Sequence, residues 1–241
     1  MTRAPVALSP DEIAAVRAMV IHEDAAILAL NKPAGLSSQG GRGQFHTLDD
    51  LLWAFARSNG KRPELVHRLD RDTSGVIVAA RTKPAAGALG KAIMARRVKK
   101  TYRAIVAPGA PGAPEGVIET PLRREERGRE AYMRACAPDH PDAESARTVY
   151  RTLKQSPAAA LVELEPHTGR MHQLRVHLAS IGRPIAGDAR YGGALMLAGE
   201  AVPRLMLHAL ALEFPHPDGG TMRIEAEPPA DFQQLGKMLF G

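Results

Sequence analysis

The sequence predicts an α+β fold, a mixed and largely antiparallel central sheet with flanking helices. Three observations lead there. Apolar, β-branched runs recur at Ala25–Leu30, Gly75–Ala80, Lys99–Val106, Ala146–Leu153 and Leu161–Glu165. Helical patterns stand at Pro84–Arg97 and at Met171–Ile181, where apolar residues fall at 171, 174, 178 and 181. The spacing lacks the regular strand–helix alternation of a parallel sheet, and no internal repeat is present.

The elements follow in order. Ser9-Pro10-Asp11-Glu12 opens a helix, with Ser9 as cap, Pro10 at the first position and Glu12 closing a capping box. Ala25–Leu30 is the first strand. Asn31-Lys32-Pro33-Ala34-Gly35 is turn chemistry, and Gln39-Gly40-Gly41-Arg42-Gly43 is a loop. Thr47 with Asp50 caps a helix running to about Ser58. The strand Gly75–Ala80, the helix from Pro84 and the strand Lys99–Val106 come next. Pro108–Pro114 alternates Pro, Gly and Ala, a loop too short for a repeat. Arg204–Phe214 and Thr221–Ala226 are late strands, and Asp231–Phe240 is a closing helix. Residues 1–20 are expected to be an N-terminal extension and 21–241 one domain.

Composition narrows the class. With 241 residues, 44% hydrophobic and 24% charged, the chain has enough apolar mass for a core, which excludes disorder throughout. A single cysteine, Cys136, excludes an intrachain disulfide and a cysteine-based zinc cage. The apolar runs are far shorter than the roughly 20 residues of a membrane helix, and Ala4–Leu8 is too short for a secretory core. A cytoplasmic protein is expected. The net charge is +6, with 32 basic and 26 acidic residues. No acidic residue stands between Asp72 and Glu115, a stretch holding Arg81, Lys83, Lys91, Arg96, Arg97, Lys99, Lys100 and Arg103. A second cluster, Arg123, Arg124, Arg127 and Arg129, is mixed with Glu125, Glu126 and Glu130. Basic clustering points to a polyanion, or to a solvated face. Aromatic residues are only 4%, fewer than a nonspecific single-strand binder uses.

The densest polar cluster is His67-Arg68-Leu69-Asp70-Arg71-Asp72-Thr73-Ser74-Gly75. It reads three ways. Asp, Thr, Ser and Gly are turn formers, and Asp72 reads as a turn acceptor. Asp70, Asp72, Ser74 and Gly75 take the first, third, fifth and sixth positions of a calcium loop, but the twelfth is Arg81 instead of Glu. Lastly, a carboxylate among arginines stays ionised and is usable as a nucleophile or base.

Other segments bear on the choice. His67–Gly75 resembles the signature of the RluA-type pseudouridine synthases. Asn31–Leu36 resembles that family's N-terminal motif, and Lys100-Thr101-Tyr102 its lysine-x-tyrosine strand. His167-Thr168-Gly169-Arg170-Met171-His172-Gln173-Leu174-Arg175-Val176-His177 resembles its late motif. Gly187-Asp188 with Tyr191-Gly192, and Leu207-His208-Ala209, fit its C-terminal half. The matches lie in family order across about residues 27–216. Gln39-Gly40-Gly41 departs from the histidine-proline pair frequent after the first motif. Only 30 residues precede Asn31, so the S4 RNA-binding domain of many members is not expected here.

The resemblance implies a pseudouridine-synthase-like fold with an RNA cleft across the sheet, and isomerisation of uridine to pseudouridine in ribosomal or transfer RNA. It implies Asp70 as catalytic aspartate, Arg170 as its basic partner, and Tyr102 stacked on the target base. Leu174 would pack beneath the site. Arg68 would fill the space of a flipped base or clamp the backbone, with Arg71, Lys99, Lys100 and Arg103 as further RNA contacts. The basic stretch Lys91–Arg103 would be an RNA-contacting flank, and the segment Arg123–Arg134, with its glutamates, would add a weaker second one. No cofactor is implied. His67 is expected to bond locally. No metal is expected either, since His172 and His177 are five apart and face different ways on a helix. With no heptad or broad apolar stripe, a monomer is expected. A noncatalytic RNA-binding or ribosome-assembly factor is the alternative, and a glycosidase using Asp70 and Asp72 ranks below it.

Overall fold

The computed structural model describes residues 6–40, 46–128 and 130–241. Most of the glycine loop expected at 39–43, and Arg129, lie outside them. The chain forms two compact units, Met1–Lys99 with Ala209–Glu227, and Lys100–His208 with Pro228–Gly241.

The first unit opens with α1 (Pro10–Ala18). The Ser9 hydroxyl accepts the Glu12 N–H at 3.2 Å, and the Glu12 carboxylate accepts the Ser9 N–H at 2.8 Å, so the expected capping box is present. β1 (Val20–Glu23) and β2 (Ile27–Lys32) pair antiparallel. The Asp24 carboxylate accepts the N–H groups of Ala26 and Ile27 at 2.7 and 2.8 Å and so builds the turn between them. α2 (Leu48–Leu51) passes into a 3-10 turn over Leu52–Phe55. It stops short of Ser58 because Ala56 is extended and Arg57 donates instead to Lys61 across a local turn. β3 (Glu64–Leu65) and β2 both pair antiparallel with β4 (Ser74–Ala80), which is buried along its whole length. A strand covered on both faces reads as the unbroken apolar run seen in the sequence. α3 (Lys83–Met94) follows, capped by the Thr82 hydroxyl.

Gly75 is fixed by two constraints. Its φ is +117°, and a Cβ would stand 2.1 Å from the carbonyl oxygen of Ala209. Only glycine meets both.

The second unit is a four-strand sheet in the order β5-β10-β9-β6, built from β5 (Lys99–Val106), β6 (Glu115–Ile118), β9 (Thr148–Gln155) and β10 (Ala160–Pro166). Its pairings are antiparallel. Between β6 and β9 the chain makes the hairpin β7 (Leu122–Arg127) and β8 (Glu130–Ala135). α4 (Gln173–Ser180) follows β10, and β11 (Met196–Leu197) pairs with β12 (Glu200–Ala201). β13 (Leu207–Pro215) begins in this unit and continues into the first, where it pairs with β14 (Thr221–Glu225). α5 (Ala230–Phe240) ends the chain. Leu164, Leu174, Leu178, Ile185, Met206, Phe232 and Leu235 share one core cluster. Mostly antiparallel strands with few helices match the predicted class. Among the described residues no helix is long and apolar enough to cross a membrane.

Candidate active site

Asp70 sits half-buried on the loop that leads into β4, and its neighbours in sequence are pinned. The Ser38 hydroxyl donates to the Leu69 carbonyl at 2.7 Å and accepts the Leu69 N–H at 3.1 Å. On the other side, the Arg71 carbonyl accepts both the Lys32 ammonium at 3.0 Å and the Gly35 N–H at 2.9 Å. Lys32 has no exposed surface, and also donates to the carbonyls of Pro33 and Leu36 at 2.9 and 2.8 Å. The Thr73 N–H closes a turn on the Asp70 carbonyl at 3.2 Å. The Asn31–Leu36 motif therefore has a physical task in this unit. Its lysine and its turn glycine hold the backbone beside Asp70.

Arg68 and Arg71 flank that carboxylate and are exposed. Asp72 does not act as a turn acceptor. Its carboxylate takes the Arg71 guanidinium, Nε to Oδ1 at 2.9 Å and Nη2 to Oδ2 at 3.3 Å. Both side chains are largely exposed, so the pair adds little to stability. His67 does bond locally. Its Nε2 accepts the Val78 N–H at 3.0 Å, which places the neutral ring's proton on Nδ1.

Tyr102 lies on β5 in the second unit, opposite Leu164, and packs partly buried against the core cluster. Side chains alternate along a strand, so Lys100 and Tyr102 share one face and Arg103 takes the other. Arg103 pairs in register with Glu163, which is itself bound by Arg151 at 2.8 Å. The structure thus separates Arg103 from the face of Tyr102. Burial lowers the Lys100 ammonium below its ordinary value. Lys99 is exposed.

Arg170 stands on the turn before α4. Its guanidinium reaches Glu144 at 2.6 Å and the Ser145 carbonyl at 3.1 Å. The backbone of the turn is held by Gln173, only 4% exposed. Its Oε1 accepts the Arg170 N–H at 3.1 Å and the Thr168 hydroxyl at 2.7 Å. Its Nε2 donates to the Arg147 carbonyl and the Thr148 hydroxyl, each at 3.0 Å. The buried His177 continues the chain, with Thr148 at 2.9 Å and the Thr120 carbonyl at 3.0 Å. Burial lowers the His177 value, a shift the Thr120 bond opposes. In the neutral ring Nε2 donates to Thr120, so Nδ1 accepts from Thr148 and every proton in the network has an address. Leu174 is 6% exposed in the core.

In the late Gly187-Asp188 and Tyr191-Gly192 pairs, Asp188 and Tyr191 hold the second unit together. Asp188 is fully buried in its side chain and takes the Arg175 guanidinium in a two-point contact at 2.7 and 2.8 Å. The Tyr191 hydroxyl accepts the Met133 N–H at 3.1 Å and bonds His172 Nδ1 at 2.8 Å, tying β8 to the start of α4. On the hairpin itself, Arg124 and Arg134 pair with Glu126 and Glu125 at 3.2 and 3.0 Å, which offsets the charge expected of a second flank. Among the described residues no three His, Cys, Asp or Glu side chains are grouped to hold a metal.

Comparison with known proteins follows the same lines. The family profile described as RNA pseudouridylate synthase matches residues 26–180. The chain is 38% identical to "Ribosomal large subunit pseudouridine synthase C" of Salmonella typhi, over 97% of this chain and 73% of that protein. It is 37% identical to the protein of the same name from Escherichia coli strain K12, over 91% of this chain and 70% of that protein. The solved structure of "Human RNA Pseudouridylate Synthase Domain Containing 4" superposes with a TM-score of 0.76 at 27% identity, covering 92% of each chain. Motifs, fold and relatives agree, and the chain belongs to the RNA pseudouridylate synthase family.

Proposed function

We propose that this enzyme modifies large-subunit ribosomal RNA and that Asp70 is the carboxylate that engages the target nucleotide. Family membership makes the chain an isomerase converting uridine to pseudouridine in RNA. The observation that carries the role of Asp70 is its mounting. The residues before and after it are clamped by Ser38, Lys32 and Gly35, so the carboxylate is aimed before RNA arrives. Such preorganisation is what a reacting group needs.

The reaction breaks the bond from C1′ to N1 and forms one from C1′ to C5. N1 gains a proton and C5 loses one, so the product is an isomer and no redox partner or donor is consumed. In this reading Asp70 adds to the ribose or the base, or takes the proton from C2′. Tyr102 stacks on the uracil, an interaction worth about 1–3 kcal/mol. Arg170 takes the part of basic partner that the resemblance gives it. A target within a stem-loop must leave its stack, at a cost of a few kcal/mol, roughly. Arg68 fills the space it leaves, and Arg71 and Lys100 bind phosphates. Lys99 and Arg103 would contact RNA only from the other face of β5. In this reading the protein acts as a cytoplasmic monomer without a cofactor.

Ribosomal RNA is favoured because the relatives at 37% and 38% identity carry that substrate in their names. The test is to map pseudouridine by carbodiimide adduct and primer extension in ribosomal and transfer RNA, from cells with and without the gene. Loss of sites confined to large-subunit RNA is expected. Loss confined to transfer RNA overturns the substrate assignment.

A further inference from the structure

We propose that the C-terminal end of α3 is a separate RNA-backbone contact, formed by Lys91, Arg96 and Arg97 around the exposed Met94. The proposal rests on the reading of the chain as an RNA-modifying enzyme.

The helix ends in a paired cap. The Arg97 N–H bonds the Ala92 carbonyl at 2.9 Å and the Arg96 N–H bonds the Ile93 carbonyl at 3.0 Å. That hydrogen-bond pattern puts the residue after the cap in the left-handed region, where glycine is usual because it has no Cβ. Here the residue is Arg96, with φ at +54°. The chain holds an arginine in a backbone conformation that an arginine disfavours. A cation near a helix C-terminus does favour the helix dipole, but Lys91 in the last turn already supplies one. The dipole explains charge at this end; it does not explain a left-handed arginine.

The side chains also lack internal work. In the same acid-free stretch Arg81 pairs with Glu23 at 2.8 Å and Lys83 with Glu64 at 2.5 Å. Lys91, Arg96 and Arg97 are exposed and have no side-chain partner among the described residues. Met94, one helical turn from Lys91, is 79% exposed. Three unengaged cations around one apolar side chain match an RNA strand. Guanidinium groups take phosphate oxygens, and a methionine lies against ribose or a base step. The cations without a partner gather at the C-terminal end of α3, while Lys83 at its start is taken up by Glu64, which marks a contact surface instead of a uniformly solvated helix.

Arg96→Gly separates function from structure, because it removes the guanidinium and relieves the backbone together. The probe is unmodified large-subunit ribosomal RNA transcribed in vitro, with filter binding across a salt series. The variant is expected to melt at or above the wild-type temperature. Its affinity should fall roughly tenfold, and the slope of log affinity against log salt should flatten by about 0.7–0.9, one phosphate contact. Met94→Glu should weaken binding as well. A folded Arg96→Gly protein with wild-type affinity and slope overturns the proposal, as does a wild type that does not bind this RNA. Tritium release from 5-tritiated uridine in the same RNA keeps the two ideas apart. A wild type that binds but releases nothing counts against the synthase reading alone. Release by the wild type with unaltered binding by Arg96→Gly counts against the α3 contact alone.

Discussion

The Nζ of Lys32 lies 3.0 Å from the carbonyl oxygen of Arg71, the residue that follows Asp70. A fully buried ammonium is thus spent on backbone, binding three carbonyls at the foot of one loop. Such a group is costly to desolvate unless every bond is made, so its placement fixes the loop firmly.

Lys32→Met keeps the length of the side chain and removes the donors. It should destabilise the protein by about 3 kcal/mol, through carbonyls left buried without their partner. Turnover should fall further than the folded fraction does. Urea denaturation alongside single-turnover kinetics checks this. A variant with wild-type turnover would show that the clamp does not position Asp70.

Gly75→Ala should be among the most damaging small substitutions. The added methyl would collide with the Ala209 carbonyl, and the backbone is left-handed there. A loss on the order of 4 kcal/mol or more is expected, visible as a collapse in soluble yield or melting temperature.

Asp188→Asn should cost about 3–5 kcal/mol, since it leaves the Arg175 guanidinium buried against a neutral group. Arg175→Met in the same background should recover part of that loss. The double-mutant cycle in chemical denaturation measures the coupling.

Lys100→Met should raise stability and lower RNA affinity. Burial holds the Lys100 ammonium below its ordinary 10.5, so the unfolded chain binds more protons than the folded one across that interval. Stability therefore climbs as pH rises from the lowered value toward 10.5, and the methionine variant should lose that climb. Melting curves between neutral and about pH 10 test it.

Asp24 contributes to the acid limb, with Glu12 and Asp231, whose carboxyls are also lowered. Partial burial pushes its carboxyl up, but hydrogen bonds from His22 and from the N–H groups of Ile27 and Ala26, with the nearby His216, bring it down to about 2. A depressed carboxylate contributes stability above its ordinary 3.8 and loses it as pH falls through 3.8 toward 2. Asp24→Asn should flatten this part of the stability curve, as read by denaturation at graded acid pH.

The β-branched strands were legible because β4 and the end of β5 are buried on both faces, which writes an unbroken apolar run into the sequence. β7 was not, because Leu-Arg-Arg-Glu-Glu-Arg carries its pairing in cross-strand charges such as Glu125 with Arg134. The helix from Pro84 ended early, at Met94, because a left-handed Arg96 carries no breaker signal. The segment around Asp70 stood out as a local cluster. Its support did not, since Lys32 meets Arg71 across 39 residues and Tyr191 meets Met133 across 58. Gln173 lies within the late motif, but only the fold shows that its amide ties Thr168 and Arg170 to β9.

The most direct measurement is tritium release from unmodified large-subunit ribosomal RNA labelled at uridine C5, with wild type and Asp70→Asn side by side. Isomerisation must free that label into water. Release by the wild type is expected, and none by a folded Asp70→Asn variant that still binds the RNA. Equal release by both would remove Asp70 from the reaction.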